Sequence, residues 1–231
     1  MAEKISQQFE KLLNECDGEK DLHETTIRQS FEEGFSPWFK DYEKGDKSLD
    51  DNLKGMTDNG LTEEEAFFVL AYTGSASSWV NSELRNGQTP TGKCKEVFAN
   101  KLNESLSKVA SFNGNVVFRM DEPLSESEEV LKWFQAKVGE KFRVPYFLST
   151  AKEDYNNSSI VWEIKTLATG SSGKDISQLT SNKFEKEVLF QTGSCFEIIK
   201  VDQKKNYIHL NEIVDSEQIK FELVGDYVGN Y

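Results

Sequence analysis

NVVFRM, residues 115–120, is where the chain changes character. Before it, apolar residues recur at helical spacing. From it onward, short runs of β-branched and aromatic residues alternate with polar turns. VPYFLST (144–150), SIVWEIKTL (159–167), EVLFQT (187–192), CFEIIKVD (195–202) and YIHLNEIV (207–214) follow, interrupted by one helical run from Glu128 to Val138. Helices first and strands afterwards predict an α+β fold; no internal repeat and no doubly wound pattern is present.

Working back from 115, Val97, Phe98, Leu102, Leu106 and Val109 mark a helix, and Trp79, Val80 and Leu84 mark another before the turn signals Gly87, Pro90 and Gly92. Thr62 with Glu65 three residues later is a capping-box arrangement, and the helix it opens, EEEAFFVLAYTG, is expected to end at Gly74. Ile5, Phe9, Leu12, Leu13 and Cys16, then Ile27, Phe31, Phe35, Trp38 and Phe39, predict two amphipathic helices within residues 1–43. The charged, glycine-containing stretch EKGDKSLDDNLKGMTDNG (43–60) reads as a loop, so a boundary is expected near residue 60. Residues 1–60 then form a helical N-terminal segment with a linker, and 61–231 form the main domain.

Composition narrows the function classes. The 231 residues carry 27 Lys and Arg against 40 Asp and Glu, a net charge of -13, which disfavours binding a nucleic-acid duplex by bulk electrostatics. No window approaches the roughly 18 uncharged apolar residues of a membrane span. The first residues have neither the basic nor the apolar region of a Sec-type signal, so the expected location is the cytoplasm, or outside the cell by another route. Cys16, Cys94 and Cys195 are odd in number and far apart, giving no disulfide framework and no Cys-x-x-Cys site. Glycine-rich phosphate loops are absent, and His23 and His209 stand far apart without acidic neighbours at ligand spacing, so no metal is expected. No Gly-x-Ser-x-Gly elbow supports a serine nucleophile; His209 in YIHLNEI reads as a half-exposed strand residue.

Three fragments carry possible chemistry. In extended backbone Glu185 and Glu187 would project to one face about 6 to 7 Å apart, where mutual repulsion and partial burial would split their proton affinities. Alone, such a run is ordinarily a solvated strand end. Arg119 closes an otherwise apolar strand, where a guanidinium needs a carboxylate or phosphate partner, be it a structural aspartate or glutamate or a ligand. Ser149 and Thr150 end an aromatic strand, as a turn or as ligand-facing hydroxyls.

Taken in order, FRM (118–120), FLSTA (147–151) and EKEVLF (185–190) resemble the Arg-Ser-Glu signature of arginine-modifying mono-ADP-ribosyltransferases. The flanks LTEEEAFFVLAYTGSASSWVNSELRNG and TGSCFEIIKV are similar to that family as well, so the resemblance covers roughly residues 61–215 and leaves 1–60 outside it. Two positions depart from the pattern: Ala151 stands where a further serine is usual, and Met120 where a small residue often follows the arginine.

The resemblance implies a two-sheet antiparallel β core and, for 61–231, a catalytic domain that uses NAD as substrate. It implies that Glu187 is the catalytic glutamate, oriented by Ser149, with Thr150 and Met120 on the cofactor side and Arg119 paired with the pyrophosphate. Glu185 would bind and deprotonate an acceptor arginine exposed on a target protein. Phe184 and the loop 175–183 would face that acceptor. Tyr155 is either a surface tyrosine or packs on nicotinamide. An NAD glycohydrolase, which needs Glu187 without Glu185, and an inactive binding module are the alternatives.

Overall fold

A computed structural model of the chain describes residues 2–15, 54–87, 93–122, 127–155, 160–177, 179, 186–215 and 218–224. Two compact units result, one made of Met1–Glu83, Gln88–Val109 and Gln178–Asn182, the other of Leu84–Gly87, Ala110–Ser177 and Lys183–Tyr231.

The first unit is helical. α1 (Ala2–Glu15) buries Leu12, and its Lys11 and Glu15 pair with Glu64 and Lys101. The second amphipathic helix read from the sequence, at 27–39, lies outside the described residues, as do Cys16 and His23. Residues 54–58, read as loop, instead form a helical turn. Met56 is fully buried there, and the amides of Asn59 and Leu61 donate to its carbonyl, so one apolar anchor offsets a polar composition.

α2 (Glu63–Ala71) starts as the capping box requires: the Glu65 amide donates to Thr62 Oγ1 at 3.2 Å and the Thr62 amide to Glu65 Oε2 at 2.9 Å. Its residues Ala66, Phe67, Phe68, Val69, Leu70 and Ala71 are all buried. The helical path does not end at Gly74. It widens into a π-type turn over Tyr72–Ala76, kinked at Gly74 (φ -100°, ψ -146°), and continues as α3 (Ser77–Arg85). Local hydrogen bonds carry the chain through the kink: Ser77 Oγ donates to the Gly74 carbonyl at 3.0 Å, and Asn81 Nδ2 reaches back to Tyr72 Oη at 3.1 Å. α4 (Lys93–Lys108) buries Phe98, Leu102 and Leu106, one residue per turn on one side.

The second unit is built on strands β1 (Val116–Asp121), β2 (Lys141–Val144), β3 (Leu148–Ala151), β4 (Ile160–Lys165), β5 (Gly173–Asp175), β6 (Glu187–Phe190), β7 (Ser194–Asp202), β8 (Tyr207–Ile213) and β9 (Phe221–Glu222), with α5 (Ser127–Gln135) between β1 and β2. The predicted α+β class holds, but the predicted two-sheet antiparallel core does not. The described strands form one nine-stranded hydrogen-bonded sheet in the order β5-β6-β3-β1-β4-β8-β7-β2-β9. Two antiparallel halves exist, and a parallel pairing of β4 with β8, with Glu163 opposite His209, joins them; β9 adds to β2, also in parallel.

Alternation places the core. In β1, Val117, Arg119 and Asp121 are buried while Val116, Phe118 and Met120 are not, and β8 alternates likewise. Both halves feed one apolar cluster, in which Phe142 stacks on Phe221 at 5.5 Å and Phe134 meets Trp162 edge-on at 5.6 Å. β5 crosses β6 closely at Gly173, where a Cβ would lie 3.0 Å from the Phe190 ring.

Candidate active site

Arg119, Ser149, Thr150 and Glu187 come together within the strand unit. Glu187 opens β6 opposite Ala151 of β3, which puts Ser149 two residues along the neighbouring strand. Ser149 Oγ lies 2.6 Å from Glu187 Oε1, so the hydroxyl donates to the carboxylate and fixes its rotamer. Thr150 Oγ1 donates to the Val188 carbonyl at 2.6 Å, tying β3 to β6 immediately beside that pair. Glu187 is buried, and a carboxylate withdrawn from water acts more strongly on a nearby charge than a solvated one.

Arg119 is also buried. Its Nη1 donates to the backbone carbonyl of Ser149 at 3.1 Å, so one serine holds the arginine through its main chain and the glutamate through its side chain. Met120 is half-buried beside it, and Tyr155 is exposed. Glu185 and Phe184 lie outside the described residues. The extended geometry expected around them does not extend to Lys186, whose φ of 45° is left-handed rather than β, so regular strand begins only at Glu187.

The described residues around that turn are bonded to one another. The Ile176 amide donates to the Glu187 carbonyl at 3.2 Å, and the Lys152 amide to the Lys186 carbonyl at 3.1 Å. Lys152 Nζ reaches Asp175 Oδ2 at 2.7 Å and Ser177 Oγ at 2.8 Å. Partial burial pushes the Asp175 carboxyl up, but its bonds with Lys152 and Ser177 outweigh that and hold it below the ordinary aspartate value.

Several residues escaped the sequence reading. Asp121 Oδ2 accepts a hydrogen bond from Arg119 Nε at 3.2 Å, and its Oδ1 forms an ion pair with Nη2 at 2.8 Å; the signal was available, because residues two apart on a strand share a face. Burial raises the Asp121 carboxyl above its usual value, and the pairing with Arg119 offsets only part of that. The fully buried Tyr146, its ring 5.2 Å from the Arg85 guanidinium, has its hydroxyl pushed up to about 12 by burial. Glu212 is buried and accepts from the Leu167 amide, Ser171 Oγ, and both the amide and hydroxyl of Ser172, clamping the loop before β5. His209 is half-buried as expected, yet its Nδ1 sits 2.8 Å from Glu163, a partner that only the β4–β8 register supplies. Among the described residues no group of three or more His, Cys, Asp or Glu could hold a metal, and no helix is long and apolar enough to cross a membrane.

A family model described as ADP-ribosyltransferase exoenzyme matches residues 41–221. The chain belongs to that family. Among curated proteins it is 26% identical, over 151 residues, to the NAD(+)--protein-arginine ADP-ribosyltransferase Tre1 of Serratia proteamaculans; the match covers 65% of this chain and 32% of Tre1, so the chain spans about a third of that relative's length. Among solved structures it is similar to the ADP-ribosyltransferase Vis of Vibrio splendidus in complex with the M6 inhibitor, with a TM-score of 0.60 at 19% identity over 78% of this chain and 89% of that one. The Clostridium limosum C3 exoenzyme follows with a TM-score of 0.56 at 16% identity, over 73% and 94% of the two chains. At these identities the structural likeness establishes the fold, and it agrees with the α+β architecture described above.

Proposed function

We propose that the chain transfers ADP-ribose from NAD to an arginine side chain of a protein acceptor and releases nicotinamide. The observation that carries this reading is the 2.6 Å bond from Ser149 to the buried Glu187 carboxylate, joined through the same serine to buried Arg119. Support comes also from the family match, from the arginine specificity in the name of Tre1, and from a Vis structure determined in complex with agmatine. We place the activity in 61–231, with 1–60 as an accessory helical segment.

NAD supplies a leaving group that is already cationic, so the demand on the protein is to stabilise positive charge developing on the ribose and to hold the reactants in line. Glu187, fixed by Ser149, sets its negative charge toward that ribose. Arg119 pairs with the pyrophosphate through a planar, bidentate donor set that lysine lacks, which lets an acidic protein hold an anionic substrate at contact distance. Thr150 and Met120 flank the cofactor side, with Tyr155 against the nicotinamide. Glu185 holds the acceptor guanidinium, whose proton must leave as the new carbon–nitrogen bond forms, because a guanidinium with pKa above about 12 is otherwise a poor nucleophile. Phe184 and the loop 175–183 face the acceptor.

Glu185→Gln tests the acceptor assignment. Nicotinamide release into water should persist within about tenfold, whereas transfer to agmatine should fall by about a hundredfold or more, both followed at one pH on folded protein. Equal loss of both activities would place Glu185 in the cleavage step. Release without transfer by the unaltered protein would make it an NAD glycohydrolase, and silence in every condition would leave a binding module.

A further inference from the structure

Arg119 and Asp121 stand two residues apart on β1 and are both buried, with the apolar Trp162 and Ile160 of β4 directly opposite them. Asp121 accepts a hydrogen bond from Nε and forms an ion pair with one Nη of the guanidinium, and the Ser149 carbonyl accepts from the other Nη. Two of the guanidinium's three nitrogens therefore lie against a single carboxylate on the same strand, one hydrogen-bonded and one ion-paired, and the third donates to the serine that orients Glu187.

A pair of this kind is a poor way to stabilise a fold. Taking both ions out of water costs more than their attraction usually returns, and apolar side chains of similar volume serve a core at least as well. Its geometric consequence is clear, however. A free arginine side chain samples many rotamers, and a side-on carboxylate removes that freedom before any ligand arrives.

We propose that Asp121 is a positioning residue which locks the Arg119 guanidinium in the orientation that receives the pyrophosphate. The proposal rests on the role given to Arg119 above. Asp121 itself touches no reacting atom; it acts through Arg119, and through the Ser149 carbonyl it ties that arginine to the strand carrying the Glu187 partner. A third charge also acts on Asp121, since Arg85 lies close enough to favour its ionised form. The group of two guanidiniums and one carboxylate thus keeps a net positive charge after Arg119 has been oriented.

The test is a double-mutant cycle on the full chain, reading NAD affinity by calorimetry together with KM and kcat for nicotinamide release. Asp121→Asn keeps the shape but presents an amide donor to the arginine donors, and should weaken NAD binding about tenfold or more while raising KM much further than it lowers kcat. Arg119→Ala should weaken NAD binding as well. The double variant should bind NAD no more weakly than Arg119→Ala alone, because Asp121 has nothing left to position. Asp121→Ser serves if the asparagine variant does not fold. Unchanged NAD affinity in a folded Asp121 variant, losses that multiply in the double variant, or failure of both Asp121 variants to fold would each overturn the proposal and leave Asp121 as a structural residue. Unchanged affinity in folded Arg119→Ala is a different outcome: it would remove Arg119 from NAD binding, and the proposal with it.

Discussion

Among the described residues, the helical unit holds its charges mainly in partly exposed pairs, Lys95 with Glu83 being the most buried, whereas the strand unit buries several charged groups, one pair of them against each other. In the first, Lys101 bridges Glu64 at 2.7 Å and Glu15 at 3.2 Å, Lys11 reaches Glu64, and Lys108 pairs with Glu65, all on partly exposed side chains. In the second, Arg119, Asp121, Glu187 and Glu212 are buried, each held by several donors or by a direct partner. Solvated pairs contribute little each and weaken with salt, so they are compatible with a scaffold that only has to stay folded. Buried charge is expensive, and three of these four buried groups converge on the candidate site. The unit that carries these buried charges also holds the cluster around Phe142, Trp162 and Phe196.

That contrast can be broken most severely at the core. Phe142 stacks on Phe221 and packs near Trp162 and Phe196, so Phe142→Ala should destabilise the protein by about 3 to 5 kcal/mol. Denaturant titration followed by tryptophan fluorescence checks this; a loss below about 1 kcal/mol would mean the aromatic cluster is not the main support of the strand unit. Next in size, Arg119→Ala should reduce NAD affinity by about 1.5 to 3 kcal/mol, as expected for a lost charge-assisted bond, measured calorimetrically on folded protein.

The helical unit should respond more mildly. Thr62→Ala removes the side chain that caps α2 and should lower stability by about 1 kcal/mol, read as a shift in the denaturant midpoint at 222 nm. Smallest is the acid response. The hydrogen bonds from Lys101 and Lys11 hold Glu64 below its ordinary carboxylate range. Its stabilisation is thus present above the unfolded glutamate value, roughly 4.3, and is lost as pH falls through the folded value. Buried Asp121 is shifted the other way, so its contribution is present at low pH and is lost as pH rises through the folded value. Glu64→Gln should flatten the acid limb of the helical signal, and added salt should mimic it; an unchanged limb would show that these bridges contribute nothing.

What the sequence disclosed follows from the range of each signal. The Thr62–Glu65 box and the strand alternation around Arg119 are local, within a few residues, and both stand in the structure where the pattern puts them. The Ser149–Glu187 bond was expected from the order of motifs, although 38 residues separate its partners. The single sheet was not legible, because it depends on a parallel β4–β8 pairing that no local pattern encodes, and the same register brings Glu163 to His209. Met56 was hidden by the polar stretch around it. A structural carboxylate was among the expected partners of Arg119, and the period-two rule would have singled out Asp121 as that carboxylate.

The most direct test of the central claim is Glu187→Gln, compared with the unaltered chain in the presence of NAD and agmatine, with nicotinamide and ADP-ribosylated agmatine quantified by mass spectrometry. The substitution preserves shape and the bond to Ser149 while removing the negative charge set toward the ribose. Both products should fall by at least about a hundredfold in a protein whose melting and circular dichroism are unchanged. Turnover near that of the unaltered chain would contradict the assignment of Glu187, and with it the proposed reaction.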